Sequence, residues 1–202
     1  MKHITRASLA LPLMLILTLP AAAAEKLSLN QISKYLNALK TVKGDFTQIN
    51  DDGTISTGTI YIRRPGRARF EYSPPDEALV MAGGGQVAIF DSKSNQPPEQ
   101  YPLKRTPLNL ILDRNVNLGR ANMVVGHSFD GTTTSVTAQD PENPEFGNIR
   151  LVFSGPPVEL RQWVITNGEG SKTTVILGEM DDAPSLPAAL FSIPSEMQSR
   201  SR

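Results

Sequence analysis

The sequence predicts a mainly β fold with a few helices (α+β), an antiparallel sheet curling into a barrel or sandwich. Three observations carry that expectation. From Asp45 onward apolar and polar residues alternate with a period of two, the pleat of a strand. The alternating runs are short and divided by clusters of Gly, Pro, Asn and Asp, as in folds built from hairpins. Helical signals are confined to two stretches, around residues 30 and 110.

Residues 1–24 set the compartment. Lys2 and Arg6 give a basic start, Leu9 to Leu19 is almost wholly apolar, and Pro20 precedes a run of alanines ending at Ala24. That succession reads as a secretory signal peptide cleaved after Ala24. Its apolar run is too short to span a bilayer. Residues 25–202 show no internal repeat and no linker, so a single domain working in the periplasm is expected there.

Leu29, Ile32, Leu36 and Leu39 fall on one helical stripe, which Val42 extends. Ser28 and Gln31 have the spacing of a capping box, and Gly44 is the expected stop. Ser33, Lys34, Asn37 and Lys40 occupy the opposite face, expected to be wet. Strands are expected at Gly58–Arg64, Arg67–Tyr72, Leu79–Met81, Val87–Phe90, Met123–Ser128, Thr132–Ala138, Asn148–Phe153, Arg161–Ile165 and Thr173–Leu177. Gly83-Gly84-Gly85 reads as a hairpin turn, since no P-loop lysine follows it, and Gly168-Glu169-Gly170 reads the same way. Thr106-Pro107 offers an N-cap and a first-position proline, after which Leu108, Ile111 and Leu112 share a face. A short, very apolar helix among strands needs something to cover. It is expected to be a lid or a plug.

Composition narrows the chemistry. After residue 24 the chain holds 18 basic and 20 acidic residues, which argues against nucleic acid as a partner. It has no cysteine, hence no disulfide and no residue for a lipid anchor, and a soluble protein held together by burial is expected. With His127 the one histidine after residue 24, no metal site and no cofactor are expected. No G-x-S-x-G elbow is present, and the pairs Asp51-Asp52 and Asp181-Asp182 read as turn residues. No catalytic centre is expected.

Arg64 is the oddity. If Ile60 and Ile62 point inward, Arg64 shares their face, because side chains alternate along a strand. A guanidinium aimed into an apolar interior is costly without partners. Alternatively the strand end before Pro65 turns it to water. The residues alone leave both open.

The stretch GTIYIRRPGRARFEYSPPDEALVM, with DFTQ at Asp45–Gln48, TPLNLIL at Thr106–Leu112 and ALFSIP at Ala189–Pro194, resembles the outer-membrane lipoprotein carrier proteins, the LolA family. The motifs run in order across nearly all of residues 25–202. The resemblance implies an open, strongly curved antiparallel β-sheet, an unclosed barrel, with a helical lid over an apolar cavity. It implies that Arg64 hydrogen-bonds the lid backbone and holds the empty cavity shut, with lid positions at Leu36, Ile111 and Leu112. Ile60, Ile62, Ala68, Phe70, Tyr72, Leu108 and Trp163 would then line the cavity, while Arg67, Arg69 and Glu71 face outward. The family tends to carry a larger aromatic where this chain has Ala68, which alters the expected pocket shape.

The function so implied is a periplasmic carrier for acylated lipoproteins. Its partners would be an inner-membrane Lol ABC transporter and an outer-membrane acceptor or the outer membrane itself, and a monomer is expected. Burying acyl chain is worth about 0.8 kcal/mol per methylene, so one chain of ~16 carbons approaches ~13 kcal/mol. Complete burial of two or three chains would pass the ceiling of roughly −18 to −21 kcal/mol for non-covalent affinity. Partial shelter and an accessible, greasy concave face under a movable cover are therefore expected. The competing readings are a carrier that also inserts its cargo, a lipid- or lipoprotein-sensing regulatory domain of the same fold, and a hydrolase.

Overall fold

The computed structural model describes residues 25–94, 96–119, 122–183 and 185–200; the expected signal peptide lies outside the described residues. Helix α1 (Leu29–Ala38) leads into β1 (Thr41–Ile49), β2 (Ile55–Arg63), β3 (Ala68–Tyr72), β4 (Leu79–Gly83), β5 (Gln86–Phe90) and β6 (Glu99–Pro102). A 3-10 turn and the short helix α2 (Asn109–Leu112) follow. The chain continues through β7 (Val124–Phe129), β8 (Thr134–Gln139), β9 (Asn148–Ser154), β10 (Glu159–Thr166), β11 (Lys172–Asp182) and α3 (Ile193–Arg200).

The strands form one sheet in the order β6-β5-β4-β3-β2-β1-β11-β10-β9-β8-β7, antiparallel throughout. Its two edges, β6 and β7, remain separate, so the sheet is not closed. Its curvature follows from two rings. Phe70 on β3 and Trp163 on β10 stand four positions apart in the sheet, about 19 Å in a flat one at the usual strand spacing. Their ring centroids are 6.2 Å apart, edge to face. Only a tightly curled sheet brings them together across its concave side.

Topology then places the lid. The segment carrying α2 runs from one free edge of the sheet to the other, so it has to cross the open mouth. Helix α1 joins it through the stripe read from the sequence: Ile32 and Leu36 are buried against the concave face. The capping box forms as expected, Ser28 Oγ accepting from the Gln31 N–H and Gln31 Oε1 from the Ser28 N–H. The Gly84-Gly85 turn links β4 to β5 as a two-residue hairpin, its φ values of +58° and +81° being those glycine adopts without penalty.

Several local expectations need correction. Gly44 does not stop α1. The helix ends at Ala38, and Gly44 lies inside β1, where a Cβ would collide with the Glu179 carbonyl and the Met180 sulfur of β11. Asp181 and Asp182 belong to the end of β11, not to a turn. Thr106 does not cap α2; its hydroxyl turns back to the Leu103 carbonyl at 2.8 Å, and the helix begins three residues later. Strand β6 has no clear alternation, since all four of its residues are exposed.

The convex side carries a second, smaller core. Leu79, Met81, Ala88 and Phe90 point away from the concavity and are covered by Ile193 at the start of α3. Arg69 faces outward as expected but is sheltered, because α3 lies over it. It bonds Glu196 at 3.0 Å, Glu71 at 2.6 Å and the Leu190 carbonyl at 3.2 Å.

Candidate functional site

The concave face is mostly apolar. Ile60, Ile62, Ala68 and Phe70 meet Val136, Ile149, Leu151, Phe153 and Trp163 from the far half of the sheet, each at most 6% exposed. Phe46 stacks edge to face on Phe70 and Tyr72, at 5.6 and 5.1 Å. Tyr72 sits on the same face, half in the core. Its hydroxyl donates to Gln48 Oε1 at 2.6 Å, and burial pushes its pKa up to about 12.

The lid fills this hollow from above. Leu36 of α1, Ile111 and Leu112 of α2, and Leu108 just before it all join the same buried cluster. The accessible hollow expected from the sequence is therefore occupied in this state, and a good part of the filling comes from lid side chains. The smallness of Ala68 leaves no exposed gap, since it is fully buried between Ile62 and Ala82.

Arg64 lies at the rim, one residue beyond β2. The turn from β2 to β3 grips both covering elements. The Arg64 N–H donates to the Lys40 carbonyl at 2.8 Å, just after α1, and the Gly66 N–H to the Leu112 carbonyl at 2.8 Å. The Arg64 side chain reaches further, its Nη2 donating to the Asp113 carbonyl and, at 3.3 Å, to Asn37 Oδ1. Its Nε is buried without a partner among the described residues. Burial pulls the guanidinium below its ordinary pKa, and the nearby Asp113 charge opposes that. A buried donor left over on an arginine that binds a carbonyl describes a contact that holds without being fully satisfied.

Two residues assigned to the wet face of α1 turn out to hold the lid. Asn37 donates from Nδ2 to the Val116 carbonyl at 2.8 Å and accepts the Val116 N–H at 3.0 Å. Ser33 is buried; its hydroxyl donates to the Leu29 carbonyl and accepts the Leu118 N–H at 3.0 Å. The four-residue spacing of Ser33 and Asn37 puts them on one line beside the apolar stripe, a signal that periodicity alone reads as the stripe's border. At the other edge, Thr134 Oγ1 accepts the Leu27 N–H, and His127 Nε2 lies 2.9 Å from the Leu27 carbonyl, seating the chain before α1 along β7 and β8.

An unclosed, tightly curled antiparallel sheet with an apolar inner face and a helical cover defines the class of the unclosed-barrel folds. The family model for the outer membrane lipoprotein carrier protein LolA matches residues 37–194, and the chain belongs to that family. Among curated relatives, the outer-membrane lipoprotein carrier protein of Cupriavidus pinatubonensis is 25% identical, covering 80% of this chain and 81% of its own. That of Dechloromonas aromatica is 28% identical over 81% and 82%. A putative outer membrane lipoprotein-sorting protein domain from Vibrio parahaemolyticus superposes with a TM-score of 0.49 at 8% identity, covering 84% of this chain and 97% of that one.

Proposed function

We propose that this chain is a periplasmic carrier that shelters the acyl chains of lipoproteins released from the inner membrane and hands them to the outer membrane. One observation carries the reading: an apolar concave face covered by elements that a single arginine turn holds in place. An acyl chain entering the mouth competes for the space taken by Leu36, Leu108, Ile111 and Leu112, and the lid moves aside as the Arg64 contact gives way. Displacing a packed lid offsets part of the burial energy, so the net grip stays weak enough to release. Loading from an ATP-driven inner-membrane transporter and delivery to an outer-membrane acceptor, or directly to the membrane, belong to the same proposal. The chain works as a monomeric binding protein in it, without catalysis.

Purification from periplasm followed by native mass spectrometry tests the reading. Co-purifying acylated lipoprotein supports it; a preparation that carries neither lipoprotein nor lipid under conditions of lipoprotein export counts against it.

A further inference from the structure

Strands β10 and β11 do not stay together. They pair from Thr166–Lys172 up to Gln162–Ile176; beyond that point Glu159 and Leu160 pair with β9 alone, and the end of β11 pairs with β1 alone. Each strand carries a bulge at the parting. Arg161 is an extra residue against β9, and Gly178 and Glu179 together oppose the single Asp45 of β1. A bulge bends its strand and sharpens the local twist, so the two strands diverge into a fork. Between the prongs lies a cleft of about 440 Å³, with Leu39, Val42, Leu160 and Met180 among its walls.

Helix α1 plugs the fork. The Leu160 N–H has no β11 partner; the Tyr35 hydroxyl accepts it at 3.1 Å instead, and the Tyr35 ring packs edge to face on Phe153 of β9 at 5.9 Å. Successive residues turn about 100° round a helix, so Tyr35 stands about 200° from Ser33 and from Asn37. The helix is thus gripped on opposite sides. Ser33 and Asn37 tie it to residues 116–118 of the lid segment, and Tyr35 ties it to the fork.

A fully paired sheet widens only by breaking rungs of its ladder, and a buried backbone group that loses its partner is costly. At the fork those rungs are already absent, and one hydroxyl stands in for them. We propose that the fork is a hinge at which the sheet spreads, and that Tyr35 makes the spreading depend on α1. When the helix lifts, the hydroxyl leaves Leu160 and the prongs part. The purpose of this motion rests on the carrier reading, in which mouth and hollow enlarge together as acyl chains enter. The coupling itself needs no cargo.

Amide exchange of the whole protein, resolved by residue with NMR, tests it through Tyr35→Phe, which keeps the ring against Phe153 and removes only the hydroxyl. The Leu160 amide should exchange at least about tenfold faster. Loss of a merely local bond would stop there. A hinge predicts more, because coupling is reciprocal: α1 and residues 178–182 on the far prong, to which the hydroxyl makes no hydrogen bond among the described residues, should quicken as well. The paired stretches 162–166 and 172–176 should keep their wild-type rates, and Tyr101→Phe on the exposed edge strand β6 should change none of these. Quickening confined to Leu160, or spread evenly along β10 and β11, would overturn the proposal. A second arm adds a synthetic peptide bearing three palmitoyl chains to the unaltered protein. Once bound, it should speed exchange in α1 and on both prongs together; a complex whose fork stays as protected as in the free protein would overturn the hinge. Failure of the lipopeptide to bind at all would count against the carrier reading alone, with Tyr35→Phe still deciding the hinge.

Discussion

Arg64 Nη2 donates to the backbone carbonyl of Asp113, so one side chain at the end of β2 holds the residue that closes α2. A hydrogen bond from a charged donor contributes about 1.5–3 kcal/mol, but a buried donor left unpaired costs about 1–3 kcal/mol, and Arg64 combines both. The two nearly cancel.

The variant Arg64→Leu should therefore change global stability by no more than about 1 kcal/mol while loosening the lid. Hydrogen exchange at Leu112 to Leu118 should quicken, and urea unfolding should move little. Unchanged exchange in that segment would remove Arg64 as the latch.

Removing the Ser33 hydroxyl leaves the Leu118 N–H buried and unpaired. Ser33→Ala should cost about 1–3 kcal/mol, read from chemical unfolding. A neutral effect would mean that the lid segment finds another partner.

Asn37 and Arg64 share one oxygen, Oδ1, which also accepts the Val116 N–H. A double-mutant cycle of Asn37→Ala with Arg64→Leu should show an interaction of about 0.5–3 kcal/mol. Strict additivity would mean that the two act on the lid separately.

Much of this was readable in the residues. Period-two alternation places the inward sets Ile60–Ile62 and Ala68–Phe70 correctly, and the stripe of α1 buries Ile32 and Leu36. Patterning does not show what a polar residue touches: Ser33 and Asn37 look wet because their partners, Leu118 and Val116, lie some eighty residues away. The convex core was hidden for the same reason. Leu79, Met81, Ala88 and Phe90 alternate like any inward set, and only α3, folding back from the chain end, gives that side something to bury. Gly44 looked like a helix stop because close backbone approach and helix termination call for the same residue. The occupied hollow was out of reach, since sequence shows which faces are apolar and not whether lid or ligand covers them.

The docking of α3 should depend on pH through Glu196. Burial alone would raise its pKa, but the bonds to Arg200 and Arg69 and their charges outweigh that and hold it below its usual value of 4.5. A depressed folded-state pKa adds stability above the unfolded value, and that stability is lost as pH falls through the folded one. Loosening of α3, followed by proteolysis near Ser195, should therefore begin only below the ordinary glutamate range, and Glu196→Gln should flatten the dependence. A variant retaining the wild-type profile would assign the titration to another group.

Binding of a purified triacylated lipoprotein, against the same polypeptide without its acyl chains, tests the central claim most directly. The carrier account predicts a complex with the acylated form alone, accompanied by faster hydrogen exchange across α2. Equal binding of both forms, or acyl binding with the lid as protected as before, would contradict it.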